Sequence, residues 1–400
     1  MNLDFLWGIV AALLGGYVFV FWFLKRVNEW YYVGTMRKTT CRLPPGDMGW
    51  TFLGNMLPLF KTRQSGDSNS FIHNLVTRYG KTGIYKTHMF GSPSIIVCTP
   101  KLCRHVLIND ENFVIGYPKS AYLLTGRRSL HRISNLEHRR LRRLIASPIN
   151  GHEAIAFYFQ HTEGIVINSL DEWASMKQPF EFFTEMKRAT FNILMHIFMG
   201  YVNDSTLSTI QNLCSDYRKG LMSIAINIPG FAFHKALKEE QDEIIKRRPS
   251  TQQGLNLTDV KQMEYLAKVI DEMLRMANAF SLFREAKVDV NINGYIIPKG
   301  WKVLVWYGAV HMDPEIYENP QDFNPSRWNN LKAKAEAFIP FGAGSRFCPG
   351  SDLAKLVITI FIHHFILNYK LKRLNPDSPV TYIEAPMPTD KCLAQVIRIP

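Results

Sequence analysis

The run from Phe341 to Gly350, FGAGSRFCPG, constrains this chain most. A single cysteine, Cys348, sits in a short loop framed by glycines. After it Leu353, Leu356, Val357, Ile360, Phe361 and Phe365 recur at i, i+3, i+4, i+7, i+8 and i+12, the spacing of one helix face. The first amides of that helix and its positive dipole end point back at the sulfur, which favours thiolate over thiol. Gly342, Gly344 and Gly350 allow positive φ and close backbone approach. Arg346, two residues before the cysteine, can pair with a carboxylate on whatever lies against the loop. A lone cysteine is ordinarily a buried structural residue. Five specified positions in ten residues, with a helix opening directly behind them, outweigh that reading here. A dinucleotide loop is excluded because Phe347 stands where the third glycine belongs, and no Walker-type phosphate loop occurs.

The spacing F-x-x-G-x-R-x-C-x-G resembles the haem-binding loop of the cytochrome P450 family. The resemblance implies a mainly α fold with small β-sheets (α+β). It also implies haem b (iron protoporphyrin IX), with the Cys348 thiolate as axial ligand and Phe341, Gly344, Arg346 and Gly350 around it. Electrons would come from NADPH through a cytochrome P450 reductase.

The first residues carry a second signal. Residues 5–24 hold no charged side chain, and as a helix they would span roughly 30 Å, one hydrocarbon core. Lys25, Arg26, Arg37, Lys38 and Arg42 follow. Basic residues after the apolar run argue for a signal anchor over a cleaved signal peptide, with the catalytic part in the cytosol. The expected organisation is a lumenal end over 1–4, a transmembrane helix over 5–24, a basic, proline-rich linker over 25–50 and a haem-thiolate domain over 51–400. By resemblance, the membrane is the endoplasmic reticulum. Six scattered cysteines argue for a reducing compartment. The formal net charge of +13 suits an anionic leaflet or an acidic protein partner. Nucleic acid is not expected, because the basic residues are dispersed and the aromatics lie in apolar runs.

Residues 83–87 and 94–98 read as paired strands, and residues 288–300 as strand, Asn-Gly turn and return strand. The stretch from about residue 101 to 274 reads as mostly helical. Glu272 and Arg275 stand at i, i+3 on one helix and can pair. Such pairs are common on solvated faces. With residues 322–328, DFNPSRW, they resemble the family's E-x-x-R and P-x-R-[FW] elements. That resemblance implies an ion network of Glu272, Arg275 and Arg327 that locks the segment leading to Cys348. Residues 137–144 carry His138, Arg139, Arg140, Arg142 and Arg143. These suit a solvated basic face. By resemblance, Arg142 and His138 instead bind a haem propionate, as does Arg284.

One family element is absent. The helix bearing A-G-x-[DE]-T, whose acid and alcohol relay protons, belongs before the E-x-x-R helix. Here residues 231–238 run directly into 239–243, EEQDE. We expect an internal deletion joined near 238–239, so that no catalytic acid–alcohol pair is retained. Residues 43–50, 83–88, 228–234 and 294–301 resemble the plant branch containing β-amyrin 11-oxidase and ent-kaurenoic acid oxidase. That branch implies an apolar terpenoid substrate, with a slight tilt toward a triterpene. The apolar stretch from Leu221 to Phe233 suits a membrane-touching entrance, and Phe280, Leu282 and Phe283 suit a pocket lining or a plain core. The expectation is a membrane-anchored monooxygenase; the alternative is a catalytically inactive, haem-binding truncated isoform.

Overall fold

The computed structural model describes residues 3–36, 42–64, 69–118, 121, 133–150, 152–200, 206–212, 214, 263–277, 281–329, 337–381 and 387–399. The apolar stretch 221–233, the join near 238–239 and Phe280 lie outside them. In chain order the main helices are α1 (Leu3–Asn28), α2 (Met56–Gln64), α3 (Ser70–Tyr79), α4 (Pro100–Ile108), α5 (Asn135–Asn150), α6 (His152–Ser175), α7 (Phe182–Met199), α8 (Glu264–Met276), α9 (Tyr307–His311) and α10 (Ser351–Asn368). The strands are β1 (Ile84–Met89), β2 (Ser92–Val97), β3 (Phe113–Ile115), β4 (Phe180–Glu181), β5 (Leu282–Ala286), β6 (Val290–Ile292), β7 (Tyr295–Ile297), β8 (Lys302–Val305), β9 (Tyr369–Arg373), β10 (Val380–Thr381), β11 (Met387–Pro388) and β12 (Leu393–Arg398). The chain divides into two compact units, 1–118 with 281–309, and 119–280 with 310–400.

The first unit is built on a five-stranded sheet in the order β1-β2-β8-β5-β3. Strands β1 and β2 form a hairpin with Ile84 opposite Val97 and Met89 opposite Ser92. Its two turn residues, Phe90 and Gly91, have φ of 52° and 71°, the primed turn that matches strand twist. Strand β2 pairs in parallel with β8, and β8 antiparallel with β5. Ile95, Ile96 and Val97 are all buried, so β2 reads as a continuous apolar run. Phe71, Ile72 and Leu75 of α3 pack on Tyr85, Ile96, Phe283 and Leu304 of the sheet. The expected Asn-Gly turn joins β6 to β7, with Asn293 at φ 52° and Gly294 at φ 81°. Helix α1 carries the exposed apolar side chains of Leu13, Leu14, Tyr17, Val18, Phe19, Val20, Trp22 and Phe23, with Lys25 and Arg26 in its last turn.

The second unit packs α5, α6, α7 and α10 with the three-stranded sheet β4-β12-β9. Helix α10 is apolar and long enough to cross a bilayer, yet Leu353, Leu356 and Ile360 are buried in this unit's core. Trp173 lies at the core's centre, with the rings of Phe180, Phe182 and Phe361 within 6.2 Å. Emptying that position leaves a cavity that four fixed elements cannot close. Trp173→Ala is expected to cost about 3–5 kcal/mol, read as a lowered denaturant midpoint of the solubilised chain. A loss under 1 kcal/mol would contradict this packing.

Candidate functional site

The loop before α10 is bent by two glycines in the left-handed region, Gly342 at φ 80° and Gly344 at φ 72°. A side chain at either position would strain the backbone. The turn is closed by short-range bonds. The Gly342 amide donates to the Ile339 carbonyl at 3.1 Å, and the Phe347 amide to that of Gly344 at 3.1 Å. The Cys348 amide donates to the Phe341 carbonyl at 2.9 Å. The Phe341 and Phe347 rings meet edge to face, 6.4 Å apart. Cys348 is a free, half-buried thiol. Gly350 differs from expectation. Its φ is −93° and nothing lies within 4 Å of where a Cβ would stand. It occupies the N-cap of α10, where its carbonyl accepts from the Ala354 amide at 2.9 Å, and a cap needs no positive φ.

Helix α5 reaches this loop through one cation. Arg142 donates from Nη1 to the carbonyl of Phe347, the residue before Cys348. His138 stands one turn earlier on the same face and is buried, whereas Arg139, Arg140 and Arg143 are exposed. Arg346 is half-buried within the loop. Arg284 belongs to the first unit, where it is buried on β5. Its guanidinium donates to the Leu107 carbonyl and lies 3.5 Å from Asp110 Oδ1. Burial holds its pKa below the ordinary arginine value, and Asp110 offsets part of that. Gly116 runs against the same strand so closely that a Cβ would fall 2.1 Å from the Arg284 carbonyl oxygen.

The three charged residues expected to form a network do meet. Glu272 and Arg275, both fully buried on α8, pair through two bonds of 2.9 Å, from Nε to Oε2 and from Nη2 to Oε1. Arg327 Nε donates to Glu272 Oε1 at 2.9 Å. Two further donors were not legible in the pattern. The Asn324 amide reaches Oε1 at 2.9 Å, and Trp328 Nε1 reaches Oε2 at 3.0 Å. Burial raises the Glu272 pKa, but the bonds from Arg275 and the Asn324 amide more than offset it, so the net shift is downward. The second guanidinium charge is spread over carbonyls of Glu318, Asn319 and Asp322. Glu272→Ala would leave two buried cations without their carboxylate and is expected to cost about 3–5 kcal/mol. Chemical denaturation checks this, and an unchanged midpoint would contradict it.

His311, which the sequence reading did not single out, lies beside this network. It is fully buried, and Arg275 Nη1 donates to its carbonyl at 2.8 Å. Its Nε2 accepts from the Ile339 amide at 3.1 Å. Burial first, and the Arg275 charge second, push its pKa down to about 3 from 6.5. The unfolded chain therefore binds this proton more readily between pH 6.5 and 3. The stability that His311 contributes is complete above pH 6.5 and is lost as pH falls toward 3, by up to about 1.4 kcal/mol per pH unit. Denaturant midpoints at stepped pH should show a shallower acid slope for His311→Gln than for the parent. Parallel slopes would contradict this.

Among the described residues no three His, Cys, Asp or Glu side chains cluster as a metal cage. The fit of Cys348 to a metal centre is judged from the loop itself. An iron porphyrin needs one soft axial donor from the protein. The loop, with Arg142 and His138 on the helix beside it, fits such a group.

Comparison with known proteins agrees. The family model Cytochrome P450 matches residues 44–229 and 232–391. Beta-amyrin 11-oxidase of Glycyrrhiza uralensis is 45% identical, with 97% of each chain covered. 7,8-epoxymelianol synthase of Citrus sinensis is 44% identical over 488 aligned positions, covering 100% of both chains. This chain has 400 residues, so about 88 of those positions face none of them. Ent-kaurenoic acid oxidase 1 of Arabidopsis thaliana is 40% identical, with 94% of this chain and 95% of that one covered. Among solved structures, the retinoic acid-bound cyanobacterial CYP120A1 superposes with a TM-score of 0.79 at 22% identity, over 90% of this chain and 100% of that one. At that identity it supports the fold alone.

Proposed function

Because this chain belongs to the cytochrome P450 family, we propose that it is a membrane-anchored haem-thiolate monooxygenase acting on C–H bonds of an apolar terpenoid. The observation that carries the proposal is the Cys348 loop. It holds one thiol on a glycine-bent, hydrogen-bonded turn at the mouth of α10. Relatives named for a triterpene and a diterpene acid, at 45% and 40% identity, support the substrate class. A β-amyrin-type triterpene or ent-kaurenoic acid is the substrate we would try.

Haem, when bound, supplies an iron centre at which one atom of dioxygen enters a C–H bond and the other leaves as water, with NADPH-derived electrons delivered by a reductase. The protein's own part is to hold and shield. Cys348 would hold the haem iron through its sulfur. Arg142, which donates to the Phe347 carbonyl, would with His138 supply donors to a haem propionate. Arg284 is assigned the other propionate, although here its guanidinium is engaged by Leu107 and Asp110. The exposed apolar face of α1, ending in Lys25 and Arg26, supports a single-pass anchor with the rest of the chain on the cytosolic side of the endoplasmic reticulum. The exposed arginines of α5 offer a basic face to an acidic reductase.

A deletion near 238–239 is part of the same proposal. It is supported by the aligned positions that this chain leaves empty and by the interruption of the family match at residues 230–231. A cleft of about 190 Å³ between α6 and α7, lined by Phe157, Ile165, Ile193 and Ile197, is the kind of surface such a loss exposes. The test is the reduced carbon-monoxide difference spectrum of the expressed chain and of Cys348→Ser. A red-shifted Soret band that Cys348→Ser abolishes is expected, together with reductase-dependent turnover of one of the two terpenoids. A band without turnover would make the chain the inactive, haem-binding isoform. No band, or only that of a neutral ligand, would make it an enzyme by ancestry alone.

A further inference from the structure

We propose that His311 is a positioning residue for Cys348, its imidazole joining the buried Glu272–Arg275 pair to the cysteine loop; this rests on the reading that Cys348 is the axial sulfur. Four bonds make the connection. Arg275 Nη1 donates to the His311 carbonyl at 2.8 Å. The Ile339 amide donates to His311 Nε2 at 3.1 Å. The Ile339 carbonyl accepts from Gly342 at 3.1 Å, and the Phe341 carbonyl accepts from Cys348 at 2.9 Å. One end of the chain is an ion pair that cannot move without exposing charge, and the other is the amide of the ligand residue.

The side chain suits this place for chemical reasons. Ile339 is buried, so its N–H needs an acceptor inside the protein. A neutral imidazole offers one acceptor nitrogen, and using Nε2 for it places the ring proton on Nδ1. Burial and the neighbouring guanidinium keep the ring neutral, so the acceptor persists at physiological pH. The ring also packs against that of Phe338, 5.6 Å away, which is itself 4.6 Å from Trp328. Trp328 donates to Glu272, so the imidazole is fixed to the same network by packing as well as by its backbone. Glutamine can place an oxygen near the position of Nε2. Phenylalanine keeps the volume and offers no acceptor.

The experiment compares the full chain with His311→Phe and His311→Gln by peptide-resolved hydrogen exchange without haem, then by the reduced carbon-monoxide spectrum with haem. In the parent, the segment 337–350 should be protected. In His311→Phe its exchange should quicken about tenfold, the size of one net hydrogen bond, while α6 keeps its protection. The thiolate band should lose intensity to the neutral-ligand band. His311→Gln should stay near the parent in both measurements. The proposal is overturned if the parent segment is unprotected, if Phe and Gln behave alike, or if protection falls equally in α6. If His311→Phe does not fold, loss of protection in His311→Gln overturns it and retention supports it. A parent with no thiolate band, but with exchange that still follows the acceptor, would sink the haem reading and leave the linkage standing. A parent with the band and exchange indifferent to His311 would do the reverse.

Discussion

The carboxylate of Glu272 is the group on which the second unit's architecture depends. It has no contact with water and accepts five N–H bonds, from Arg275, Arg327, Trp328 and the Asn324 amide. A bare carboxylate there would carry a desolvation cost of several kcal/mol. Only the whole set of donors offsets it, so the segments that supply them are held together or not at all. The 3₁₀ turn Pro325–Asn329 has little regular structure of its own, and its place is set by this anion. Such a network is weak evidence of stability gained over an apolar core. It is better evidence of a geometry fixed in one arrangement, because any partial version leaves a buried charge without partners.

That fixed geometry matters because the cysteine loop is intrinsically loose. Two glycines in left-handed conformation give Cys348 its turn, and glycine also has the most freedom to lose on folding. Bonds within the loop span only three to seven residues and do not by themselves place the sulfur relative to the helices. Arg142 on α5 holds one side through the Phe347 carbonyl, and α10 anchors the other through its buried Leu353 and Leu356. The imidazole of His311 adds a third restraint from the ion network. If Cys348 is the residue that holds the haem, as proposed, restraints from several directions would fix where its sulfur sits.

Local chemistry explains most of what could be read along the chain. The apolar spacing after Leu353 gave α10, because one face of a 3.6-residue helix is a short-range pattern. Asn293-Gly294 gave the hairpin, because few residues tolerate positive φ at both turn positions. Glu272 and Arg275 stood one turn apart, and Arg327 was found through its resemblance to a known element. Missed were the Asn324 amide and the indole of Trp328, which lie 52 and 56 residues from Glu272, and the His311–Ile339 bond across 28 residues. Nothing in the spacing of those residues marks them as partners. Gly350 was misjudged in its backbone for a related reason: a glycine at a helix start and one in a left-handed turn look identical in a sequence, and only the surrounding bonds tell them apart.

Residue order alone thus determined the helix periods, the turns, the glycine-framed cysteine and the family those features resemble, since all rest on backbone sterics and side-chain alternation over a few residues. The tertiary structure decided which buried polar atoms answer one another. It put the Leu107 carbonyl and Asp110 on Arg284, 177 and 174 residues away, and it left so little room beside that strand that only glycine fits at Gly116. These are choices between desolvated groups, whose energies depend on what else is packed within a few ångströms. That information does not exist until the chain has closed on itself.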